Sequence, residues 1–158
     1  KIGHVWREAQ HMVAHLAKGD SLHFGNGVVR AVGSVTGIKL PSGLVMRYED
    51  LKGAQGEKGV EYTYQTRKGR TRLYGGKVIE NVCQAVARCI IGEQMLLIAK
   101  KYPPVLTVHD SIVACVSEKE VEEAQTYIEG CMRYVPTWAE GLPLDCESGV
   151  AKSYGDCE

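Results

Sequence analysis

The stretch from Gly76 to Tyr102 sets the strongest limit on the fold. Val78, Ile79, Val82, Cys83, Ala85, Val86, Cys89, Ile90 and Ile91 recur there with a helical period, and Pro103-Pro104 stops the segment. Two short apolar runs follow, Val105-Leu106-Thr107-Val108 and Ile112-Val113-Ala114-Cys115-Val116, with only His109-Asp110-Ser111 between them. So short a connection predicts a tight antiparallel hairpin. The two strands are expected to pack on the helix of residues 77–101, which gives a helix-on-sheet layer.

The flanking segments extend this pattern. Ser117-Glu118-Lys119-Glu120 has the form of a capping box and predicts a helix to about Arg133. Residues 142–150 read as a final strand. Upstream, Val5, Ala9, Met12, Val13 and Leu16 mark an amphipathic helix over 4–18, ended by Gly19-Asp20. Residues 22–48 read as short strands, with turns at Gly25-Asn26-Gly27, Gly33, Gly37 and Pro41-Ser42-Gly43. Residues 53–59 read as a loop and 60–66 as a strand. The expected fold is α+β, a small antiparallel sheet with helices packed on one face, preceded by a helix and a β-rich segment. The division falls between 1–73 and 74–158.

Charge is split along the chain. Residues 1–109 hold 16 Lys/Arg against 8 Asp/Glu, and residues 110–158 hold 3 against 11, so a net charge of zero hides a basic part and an acidic part. A polyanion partner is permitted on the basic part only. No apolar run approaches the roughly 20 residues of a membrane-spanning helix, and the start has no signal-peptide pattern. Without an initiator Met, the chain is expected to begin inside a larger protein. Six cysteines lack any C-x-x-C spacing, and Cys83, Cys89 and Cys115 fall in apolar periodic segments. They are expected to be reduced, mostly buried thiols of a cytoplasmic protein.

Three features carry chemistry. Asp110 lies between two apolar strands, where a rigidly held carboxylate suits a hard cation such as Mg²⁺; Asp is also a good turn residue. On the long helix, Lys77, Asn81, Gln84 and Arg88 fall within about 60° of arc. That narrow donor stripe on a helix otherwise buried would suit the acceptors of a DNA minor groove, or is a solvated face. Arg67-Lys68-Gly69-Arg70-Thr71-Arg72, running to Gly75-Gly76-Lys77, reads as a basic loop whose glycines let backbone approach a phosphate, or as a solvated loop. No Walker or dinucleotide glycine motif is present. His11 and His15 stand at i, i+4, but without an H-E-x-x-H pattern they read as helix-surface histidines.

Taken together, Tyr74-Gly75-Gly76-Lys77 through Arg88, Val108-His109-Asp110 between apolar strands, Leu142-Pro143-Leu144 and Gly149 to Gly155 resemble the C-terminal end of family A DNA polymerases, most closely the phage and prophage type. The likeness is strong over 74–158 and looser over 1–73, which resembles the end of the fingers region. It implies a palm segment in which Asp110 is a catalytic ligand of two Mg²⁺ ions and His109 lies near the primer terminus. It also implies that Gln84, with Asn81, contacts the minor groove of the primer–template. The implied partners are primer–template DNA, a deoxynucleoside triphosphate and an upstream part of the polymerase, with no membrane. Arg70, Arg72, Lys77 and Arg88 join the nucleic-acid-binding set from the charge and stripe readings. The chain departs from the family in having Ser111 where an acid usually follows the aspartate, and Cys89 where phage relatives tend to have Asp. The first aspartate motif and the nucleotide-binding helix are also missing, so the isolated chain is expected to be inactive. A DNA-binding module without chemistry is the alternative.

Overall fold

The computed structural model describes residues 2–24, 29–32, 35–57 and 59–157. The architecture is α+β, and it divides into two compact units, Lys1–Val86 and Ala87–Glu158. The division falls inside a continuous helix, α2 (Gly75–Ile98).

The first unit opens with α1 (Ile2–Ala17), whose Ala9, Met12, Val13 and Leu16 are buried. Gly19 ends it with a φ of 83°, a left-handed conformation that glycine adopts without Cβ strain. An antiparallel meander follows: β1 (His23–Phe24), β2 (Val29–Val32), β3 (Gly37–Lys39) and β4 (Val45–Arg47). The turns predicted at Gly25-Asn26-Gly27 and at Gly33 lie outside the described residues. A second meander comprises β5 (Lys52–Gly56), β6 (Gly59–Thr66) and β7 (Gly69–Leu73).

Two sequence readings change here. Residues 53–59 were expected to loop, yet Lys52–Gly56 is a strand paired residue for residue with β6. The strong β-formers Tyr62, Thr63 and Tyr64 supply a template that overrides the weak propensity of Gly53 and Gly56. The basic stretch is likewise not a loop, because Gly69–Leu73 pairs with β6 from Tyr62↔Leu73 to Thr66↔Gly69. Its glycines serve the fold. Gly69 turns the hairpin at φ 115°. Gly75 lies against α1, where an added Cβ would meet the Trp6 carbonyl oxygen at 2.5 Å and the Gln10 nitrogen at 2.7 Å. The Gly75 N–H donates to Gln10 Oε1 at 2.8 Å in the same contact.

The second unit contains the end of α2, the hairpin β8 (Pro104–Val108) and β9 (Ser111–Ala114), and α3 (Val121–Met132). Ile98, Tyr102 and Ala124 are buried at its centre, with Ile112, Ala114, Val116, Tyr127 and Ile128 packed against them. The hairpin therefore lies against both helices through one face, as the alternation of β9 requires. Its outer face carries the exposed Val105, Leu106 and Val108.

Here too the structure corrects two expectations. The capping box does not form, and α3 starts at Val121 with Glu120 at the N-cap and no side-chain cap bond. Ser117 Oγ accepts instead from the Lys119 N–H at 3.4 Å in a local turn, the alternative that serine side chains offer the backbone. The final strand is absent as well, since residues 142–150 enter no ladder. Side chains hold that segment. Gln125, Glu129 and Arg133 follow one another at i, i+4 spacing at the end of α3. Arg133 donates to Asp145 Oδ1 at 2.8 Å and to the Cys146 carbonyl at 3.3 Å, while Ser148 donates to Glu129 and accepts from Gln125.

The cysteines also differ from expectation. None of the six forms a disulfide, but Cys83 and Cys115 are exposed and Cys89 is only half-buried. Apolar periodicity put them on a core face, whereas α2 is open along the side that carries Cys83, Gln84, Ala87 and Arg88.

Candidate functional site

The candidate carboxylate is set by local geometry. Val108 pairs with Ser111, so His109 and Asp110 alone form the turn. A two-residue hairpin loop needs a positive φ, and His109 supplies it at 53°. Histidine is one of the few non-glycine residues found there with any frequency, at a cost of about 1–2 kcal/mol. Both turn side chains are exposed, and neither forms a hydrogen bond or ion pair among the described residues. Asp110 thus presents an unpartnered carboxylate on a turn whose stems are anchored in the second unit's core.

The chemistry of this donor suits Mg²⁺, which is satisfied by one or two carboxylates and completes its shell with water and phosphate oxygens. Among the described residues, no group of three or more His, Cys, Asp or Glu side chains converges on one point. Asp110 could offer such an ion one exposed carboxylate.

The helix stripe separates into two kinds of residue. Lys77 Nζ is paired with Glu80 at 2.9 Å, and that carboxylate raises the lysine pKa. Asn81 Nδ2 donates to the Tyr48 hydroxyl at 3.2 Å. Burial pushes the Tyr48 phenol up, with the Asn81 bond opposing it in part. Gln84 and Arg88 are exposed and make no polar contact among the described residues.

Arg70 and Arg72 are engaged within the fold. Arg70 donates to Asp50 Oδ2 at 2.7 Å, to the Asp50 carbonyl at 2.8 Å, and to Thr63 Oγ1 and the Thr63 carbonyl at 3.1 and 3.0 Å. Lys52 and Arg70 together hold the Asp50 carboxyl below its usual range. Asp50 itself sits at φ 49°, so the arginine fixes a left-handed corner. Arg72 is ion-paired with Glu61 across the same hairpin. Cross-strand register brings these partners together, and spacing along the chain gives no sign of Asp50, 20 residues before Arg70.

The described residues thus define an α+β protein that presents a free carboxylate on a rigid β-turn, with two open donor side chains on α2. No described helix is long and apolar enough to cross a membrane.

The chain is similar to the DNA polymerase of Bacillus phage SP02, with 33% identity over 125 residues. The match covers 74% of this chain and 19% of that polymerase. No family model and no solved structure matches.

Proposed function

We propose that this chain is the C-terminal fingers-to-palm segment of a family A, template-directed DNA polymerase, with residues 74–158 as the palm part. The observation that carries this reading is the unpartnered Asp110 carboxylate in a two-residue hairpin turn, in a chain similar to a phage polymerase. Asp110 would supply one carboxylate for two Mg²⁺ ions and a second would come from an upstream strand. Bound there, the ions would supply charge neutralisation at the primer 3′-hydroxyl and the departing pyrophosphate during in-line displacement. His109 would stand beside the primer terminus with its ring free to donate. The amide of Gln84 and the guanidinium of Arg88 would each meet minor-groove acceptors, which differ little between base pairs and so support binding without sequence preference. Lys77 and Asn81 would contribute less, because Glu80 and Tyr48 already engage them. Arg70 and Arg72 would reach a phosphate only by releasing Asp50 and Glu61.

The test is primer extension. Asp110→Asn in the polymerase that includes the upstream region should lower extension by roughly 10²–10³-fold, the scale of losing one preorganised charge-stabilising group. The chain alone should bind primer–template and not extend it. Full activity of Asp110→Asn would remove this residue from the site. The open donors Gln84 and Arg88 would serve equally in a second reading, a DNA-binding module without chemistry. That reading gains if the upstream region restores no extension to the wild-type chain.

A further inference from the structure

The exposed side of α1 carries an arrangement that the polymerase reading does not use. His11 and His15 stand one helical turn apart, and their Nε2 atoms approach to 3.3 Å. The rings meet edge to face, with centroids 4.5 Å apart. Two imidazole nitrogens bound at 2.0–2.1 Å to one tetrahedral ion lie roughly 3.3 Å from each other. The pair therefore already has the separation that joint ligation of a metal requires.

A third residue fixes the tautomer. Asp20 Oδ2 lies 3.0 Å from His15 Nδ1. A carboxylate can only accept, so Nδ1 carries a proton, and in the neutral ring the Nε2 lone pair of His15 then faces His11. Carboxylate–histidine pairs of this kind orient metal-binding imidazoles and raise their basicity. Asp20 is held in place by the helix end, since its N–H donates to the His15 carbonyl at 3.0 Å after the left-handed turn at Gly19. The opposite side of α1 is locked by the buried Met12, Val13 and Leu16, so the histidine side is rigid and faces outward. The His15 side chain remains 35% exposed, which leaves room for an ion with its waters.

We propose that His11 and His15 form a two-imidazole site for a borderline transition-metal ion, Zn²⁺, Ni²⁺ or Cu²⁺, with Asp20 as the group that orients His15. Imidazole suits these ions, whereas Mg²⁺ prefers oxygen. Water fills the remaining positions. On binding, the His11 Nε2 proton that faces His15 is lost to solvent while Nδ1 takes one up, and the freed Nε2 lone pair turns from His15 to the metal. The proposal does not depend on the polymerase reading.

The experiment is metal titration of the full chain, prepared without a polyhistidine tag. Zn²⁺ is followed by competition with a chromophoric chelator, and Co²⁺ by its absorption. The expected result is one saturable site that gives no thiolate-to-cobalt charge-transfer band. His11→Ala and His15→Ala should each weaken it at least tenfold, and Asp20→Asn roughly tenfold. Circular dichroism checks that α1 persists, as it should, because alanine is the better helix former. The proposal is overturned by unchanged affinity in both histidine variants, by a thiolate band showing that the cysteines hold the ion, or by no saturable binding.

Discussion

Gln94 is the buried polar side chain on which the second unit's architecture turns. It is 2% exposed, and its single amide nitrogen donates to the Met132 carbonyl at 2.5 Å and the Tyr134 carbonyl at 3.2 Å. The need for those donors follows from the sequence of α3. Met132 is the last helical residue, and the N–H that would continue the helix to its carbonyl belongs to position 136, a proline with no N–H to give. Gln94→Leu keeps the bulk and removes both donors. Each bond is worth about 0.5–1.5 kcal/mol, and an orphaned buried carbonyl costs about 1–3 kcal/mol. The loss should therefore be about 2–4 kcal/mol, or about 5–15 °C in melting temperature for a chain of this size. Urea unfolding followed by Trp138 fluorescence in a Trp6→Phe background reports on the second unit, because the Trp138 indole is bonded to Glu93 within it. Gln94→Met is the volume control and should behave like the leucine variant. A loss under about 0.5 kcal/mol in both variants would mean that water replaces the amide and that the carbonyls do not depend on it.

Other expectations follow from particular contacts. Gly75→Ala should destabilise by roughly 1–3 kcal/mol, because the new Cβ meets α1 backbone that cannot swing aside; an ordinary helical glycine would gain about 1 kcal/mol from the same change, so the sign of the shift in unfolding midpoint decides. Acid should release residues 142–150. Ser148 and Arg133 hold Glu129 low, and Arg133 with the Cys146 N–H holds Asp145 low, so their contribution is complete above the ordinary carboxylate range and lost as pH falls through the lowered values. Hydrogen-exchange protection across 142–150, taken relative to the intrinsic rate at each pH, should fall below that range, and at neutral pH in Arg133→Gln; protection that survives both would exclude the clamp. Gln84→Ala and Arg88→Ala should each weaken primer–template binding to a similar degree on different sequences and leave the melting temperature unchanged. A change in sequence preference would count against minor-groove contact.

Much of this protein is dictated by its sequence alone. The helical period settles α2, which ends at Ile98 about a turn before Pro103-Pro104, and a three-residue connection, His109-Asp110-Ser111, between apolar runs leaves only a hairpin with Asp110 in its turn. These outcomes depend on interactions within a few residues, so local patterning is enough. The tertiary structure decided the rest, because partners distant in sequence determine it. Residues 142–150 have the composition of a strand but find no strand partner, and α3 holds them by side chains instead. The basic stretch became a strand because β6 offered it a register, and Asp50 then claimed Arg70. Of four donors in one stripe, only Gln84 and Arg88 stay open, since Tyr48 engages Asn81 from 33 residues away and Glu80 holds Lys77. The i, i+4 histidines were visible as a pair, but only the left-handed turn at Gly19 brings Asp20 back against His15. Spacing can nominate such groups, but whether each is free to act depends on which other side chain the fold brings to it.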